Sequence, residues 1–171
     1  SSYGSRLALA YGRSHPARVH AMILDAVVPP SLHIPLPLAR DAQRAFDRMV
    51  ERCQADPGCA EAFPDPQRDL DTILERLAEP RRVPVQHPTS GAVEELIVTQ
   101  EVFAQGLRGL LYSPELTALR PLTLKQLASG RWNGFVAQIA VLSDGITEGM
   151  SMALFLSVVC REDVPQIRDG E

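Results

Sequence analysis

The five residues Ser1-Ser2-Tyr3-Gly4-Ser5 are the part of this chain best suited to nucleophilic chemistry. They read as the second half of a Gly-x-Ser-x-Gly turn, with Ser2 as nucleophile, Tyr3 as the intervening residue and Gly4 as the trailing glycine. Such a turn holds its serine on a strained step from strand to helix, where small neighbours let the backbone pass without clashing. It also aims the backbone N–H of the following residue, here Tyr3, at the oxyanion that forms during acyl transfer. The competing reading is a Ser-rich segment that simply caps a helix.

The elements that must position Ser2 come next. Leu7, Ala8, Ala10 and Tyr11 give a helix a small-residue face of the kind that packs closely on a sheet, and Gly12 to Pro16 stop it. Val19 to Val28 then run almost wholly apolar before Pro29-Pro30, which predicts a parallel strand covered on both faces. Serine turn, helix, short loop and buried strand is the order an α/β-hydrolase shows around its nucleophile.

Five segments carry a resemblance to a known family: SerTyrGlySerArgLeuAlaLeuAlaTyr, HisProAlaArgVal, MetIleLeuAspAlaValValProPro, CysGlnAlaAspProGlyCys and ValValCysArgGluAspValPro. Together they resemble the prolyl aminopeptidase and tripeptidyl aminopeptidase branch of the α/β-hydrolases, in family order and over most of the chain. The resemblance implies that Ser2 is the nucleophile. Three departures accompany it: the leading glycine is missing, Ala26 stands where the family usually has glycine, and the chain stops before the family's later Asp and His. It therefore implies an internal segment of a bacterial enzyme, and no cofactor.

Composition narrows the partners. The chain has 171 residues, 45% of them hydrophobic, and a net charge of -4 with both signs interspersed. That leaves no electrostatic footprint for nucleic acid. Met150 to Cys160, the most apolar late stretch, is too short to span a bilayer. The expected partner is a peptide or a small acyl substrate.

The three cysteines are Cys53, Cys59 and Cys160. Asp56-Pro57-Gly58 is a turn former able to bring the Cys53 and Cys59 sulfurs together, and a disulfide there implies an oxidising compartment, periplasmic or extracellular. Two reduced buried thiols are the alternative, with a cytoplasmic location. A zinc site is the poorer reading, since no histidine or second cysteine pair lies near, and no metal is expected.

Beyond the proline-dense connector Pro29 to Pro37, the pattern turns helical. Leu38, Ala42, Ala45, Phe46, Met49 and Val50 fall at three- and four-residue spacing, and short helices are predicted over 59–63 and 66–77. Arg82 to His87 and Glu95 to Thr99 read as a hairpin, with Pro84 confining the first strand to an edge. Helices are then predicted from Thr99 or Gln100, from Ser113-Pro114, over 122–129 and over 133–143. The last apolar stretch is ambiguous between helix and strand, and the resemblance favours a helix returning to the core. The expected fold class is α/β: a fragment of an α/β-hydrolase with the elbow helix and one or two core strands over 1–30, a mostly helical cap over 31–145 and a return segment over 146–171.

The remaining triad members are not evident. His15, His20, His33 and His87 do not follow a later core strand, so none is expected to be the base. Asp25 ends the predicted strand, where some α/β-hydrolases hold their triad acid, but the resemblance puts that acid downstream and implies that Asp25 is a structural residue capping a turn. The resemblance implies that carboxylates beside the cap hold a substrate's free N-terminal ammonium, a charge-assisted bond for which Glu148 and Glu162 are the candidates, with Arg161 or Asp163 as equal contenders for the role. Two function classes follow: an aminopeptidase acting through an acyl-enzyme on Ser2, with esterase or lactonase chemistry as its nearest alternative, or a non-catalytic helical interaction module.

Overall fold

The computed structural model of the chain describes residues 1–86, 90–140 and 151–168. The chain divides into two compact units, Ser1–Arg40 with Met152–Glu171, and Asp41–Ser151.

In the first unit, helix α1 (Tyr3–Ser14) continues through Gly12 and ends within the expected Gly12–Pro16 stop, before Pro16. Gly12 serves close approach: a Cβ there would collide with Cε of Met22, so the helix lets the following run come against its surface. That run, 19–28, is not the strand its composition predicts. It has no ladder partner among the described residues, and Ile23 is fully exposed. An apolar run becomes a strand only when neighbouring backbones take up its N–H and C=O groups, and none of the described segments does so. Ala26 sits at φ 47, in the left-handed region that favours glycine. Ala26→Gly is expected to raise stability by up to about 1 kcal/mol, the relieved strain exceeding the extra chain entropy; a lowered urea midpoint would count against it.

Helix α2 (Leu36–Ala55) leads into the second unit, followed by α3 (Pro57–Ala62) and α4 (Pro66–Arg76). The starts of these short helices are written locally. Asp56 accepts from the Cys59 amide at 2.8 Å and Asp65 from the Arg68 amide at 2.9 Å, each directly followed by a proline at the first helical position, where a missing N–H costs nothing. Cys53 and Cys59 form a disulfide between the end of α2 and α3. Strands β1 (Arg81–Gln86) and β2 (Val93–Val98) make the expected antiparallel hairpin, with Pro84 opposite Glu95. His87 falls outside the described residues.

Helices α5 (Gln100–Gly109), α6 (Pro114–Ala118), α7 (Arg120–Ala128) and α8 (133–140) complete the unit, with Thr99 and Ser113 as side-chain caps. The core joins Phe46 and Met49 of α2, Ile73 and Leu77 of the α4 end, Val83 and Val98 of the hairpin, and Phe103, Leu110, Leu124, Leu127 and Phe135. Phe103 and Phe135 pack as a tilted aromatic pair with centroids 5.6 Å apart. Within this core the buried Arg120 lies over the Phe46 ring, and burial lowers its pKa to about 10, which still leaves it charged at neutral pH.

The return segment belongs to the first unit. Helix α9 (Met152–Val158) resolves the ambiguity of the last apolar stretch in favour of helix, and it runs into a π-helical turn over Val159–Asp163. No described helix is long and apolar enough to cross a membrane.

Candidate active site

Ser2 immediately precedes α1 with φ 52 and ψ -133, and its side chain makes no capping hydrogen bond. An ordinary N-cap serine has β-region dihedrals and spends its hydroxyl on a first-turn amide. A non-glycine residue with the Ser2 backbone costs about 1–3 kcal/mol, a strain that clusters at functional positions. The Ser2 hydroxyl has no hydrogen-bond partner among the described residues.

Ser5 holds this turn in place. Its amide and its hydroxyl both donate to the Ser2 carbonyl, at 2.9 and 2.6 Å, and its hydroxyl in turn accepts from the Val28 amide at 2.8 Å. One buried serine thus ties the strained residue to the helix start and to the last residue of the 19–28 run. The Tyr3 and Gly4 amides, at the start of α1, have no carbonyl one turn earlier to bond, and the helix dipole there favours negative charge. A Cβ at Gly4 would meet nothing within 4 Å, so the described residues supply no steric need for that glycine.

The π-helical turn of the return segment brings two carboxylates to the same helix. Tyr3 Oη donates to Glu162 Oε1 at 2.6 Å. That bond, aided by partial burial and the Glu162 charge, raises the Tyr3 pKa above its ordinary value. Arg6 donates through Nη1 to Asp163 Oδ1 at 2.7 Å and through Nη2 to the Leu32 carbonyl, with Glu162 Oε2 3.8 Å from the guanidinium. Asp163 is 2% exposed and Arg6 9% exposed. A buried pair with a short charge-assisted bond is the geometry in which each ion depends most on the other.

Glu162 therefore lies beside the residue that follows Ser2. Glu148 is outside the described residues. Asp163 is committed to Arg6 rather than free for a ligand, and Arg161 is exposed. Asp25 is exposed and its carboxylate makes no hydrogen bond among the described residues, so the expected turn cap does not form. His33 Nδ1 lies 3.9 Å from Asp163 Oδ1, beyond hydrogen-bond range, while His15 packs against the Tyr11 ring and His20 is exposed. No described cluster of His, Cys, Asp and Glu could hold a metal ion.

Sequence reasoning missed Ser5 and Arg6. The available signal was an arginine directly after the small Ser-Tyr-Gly-Ser run, on a helix otherwise patterned for packing, which asks for a buried acceptor.

The chain is similar to a mycobacterial serine protease. It is 28% identical over 142 residues to serine protease Hip1 of Mycobacterium tuberculosis and of Mycobacterium bovis, covering 80% of this chain. The chain spans about a quarter of the length of these curated relatives, 27%. No protein-family model and no solved structure matches. The relationship supports a serine-peptidase-like chain at the coarse level, and the Cys53–Cys59 disulfide is compatible with an extracellular location.

Proposed function

We propose that this chain carries the nucleophile segment of an α/β-hydrolase serine peptidase that releases residues from peptide N-termini. The observation that carries the reading is the Ser2 backbone, φ 52 and ψ -133 at the start of α1 with the hydroxyl left uncommitted. Similarity to a serine protease supports the peptidase part independently.

On this reading Ser2 Oγ attacks the scissile carbonyl carbon, and its proton passes to a histidine contributed by residues beyond these 171, oriented by an acid also beyond them. The carbonyl oxygen, now negative, is met by the Tyr3 N–H and a second amide from upstream chain. Collapse of the tetrahedral species expels the amine of the peptide's remaining part, which takes the proton from the histidine and leaves an acyl-enzyme on Ser2 for water to cleave. Glu162, beside Tyr3, and Glu148 are the carboxylates proposed to hold the free N-terminal ammonium, with charge-assisted bonds that favour a cation over a capped end. The 31–145 region serves as the cap, and the Cys53–Cys59 disulfide supports a periplasmic or extracellular location for the enzyme.

The rival module reading needs Ser2 as a helix cap, and its backbone and free hydroxyl argue against that role. The deciding experiment uses the complete protein that contains this segment, with matched peptides bearing free or acetylated N-termini. Release from the free peptides alone is expected. Equal cleavage of both would remove the aminopeptidase assignment, and hydrolysis of esters without peptides would replace it with an esterase.

A further inference from the structure

Three arginines of the second unit crowd one open cavity. Arg81 and Arg82 at the start of β1 and Arg131, just before α8, line a concavity of about 600 Å³ together with Trp132, Gln126 and Asn133. Only one of these charges is answered: Arg82 Nη1 bonds Glu95 Oε2 at 2.9 Å, while the guanidinium groups of Arg81 and Arg131 have no partner among the described residues. The imbalance extends along the sequence, since residues 116–140 contain Arg120, Lys125 and Arg131 and no aspartate or glutamate. In a chain of net charge -4, such a local surplus of cations stands out.

We propose that this cavity is an oxyanion-binding site, taking a ligand that carries a phosphate or a cluster of carboxylates. Guanidinium groups present rigid forks of N–H donors matched to planar or tetrahedral oxyanions, and two of the three forks here are uncommitted. Around them the amides of Gln126 and Asn133 add neutral donors. The first backbone amides of α8, next to Arg131, reinforce the same sign of potential. The buried Trp132, 5% exposed, forms a firm wall against which a ligand can seat. Every lining residue belongs to the second unit, so the site does not depend on the peptidase reading.

Trp132 is the chain's single tryptophan, which makes its fluorescence a direct report on the cavity. Inorganic phosphate and, separately, citrate are titrated into the whole chain at constant ionic strength, with chloride as the control. A saturable change is expected with at least one of them, and the stronger of the two identifies whether phosphate or carboxylate is the preferred headgroup. Arg131→Gln and Arg81→Gln are each expected to weaken that binding about tenfold, the equivalent of one charge-assisted bond. Arg52→Gln, on the exposed face of α2, removes the same charge elsewhere and is expected to leave binding unchanged. A response that never saturates, that chloride reproduces, or that all three variants retain equally would overturn the proposal.

Discussion

Ser2→Ala, made in the complete protein that contains this segment, is expected to lower kcat/KM on a peptide substrate by at least about 10⁴-fold while leaving the fold intact. The size follows from the role: removing the attacking oxygen leaves only binding and oxyanion stabilisation to act on the substrate. The same position makes an opposite prediction for stability. Ser2→Gly removes the nucleophile and also relieves a backbone conformation that costs a non-glycine residue about 1–3 kcal/mol, so it is expected to be inactive yet more stable by about 1 kcal/mol. Steady-state kinetics and urea unfolding on the two variants separate the effects. Residual activity within tenfold of the parent in Ser2→Ala would show that another residue attacks the substrate.

Asp163→Ala is expected to destabilise the first unit by about 3–5 kcal/mol, the usual penalty for stranding a buried charge. Arg6 would keep its bond to the Leu32 carbonyl but lose the carboxylate 2.7 Å away, and Glu162, at 3.8 Å and already accepting from Tyr3, is a poor substitute. A double variant, Arg6→Met with Asp163→Leu, is expected to recover most of that loss, since replacing both ions with apolar groups of similar volume is often close to neutral. Urea denaturation of the single and double variants measures both. A loss below about 1 kcal/mol for Asp163→Ala would mean that water solvates the pair as it does a surface bridge.

Legibility in the sequence follows the range over which each feature is encoded. The helix starts at Thr99 and at Ser113-Pro114 act within one helical turn, so residue type and spacing reveal them, whereas Asp56-Pro57-Gly58 reads as a turn and is in fact the cap and start of a helix. The 81–98 hairpin was readable for the same reason, as was the disulfide across a six-residue separation. Ser2 stood out because its small neighbours narrow the possible backbones. What the sequence could not reveal depended on distant partners. The apolar run 19–28 looks like a strand because composition records burial, whereas a ladder also requires an adjacent backbone. Asp25 is expected to cap a turn because the resemblance puts the triad acid downstream, yet a resemblance does not fix where this carboxylate points. Arg6 and Ser5 acquire their roles only from Asp163 and Val28.

The separation of 157 positions from Arg6 to Asp163 also sets an order of events on the ribosome. At about 5–20 residues per second, roughly 8–30 s separate the synthesis of the cation from that of its anion. The Ser5 bond to Val28, only 23 residues long in sequence, is available almost at once. A nascent chain thus carries a turn already stapled on one side and a guanidinium waiting in water until its carboxylate is made.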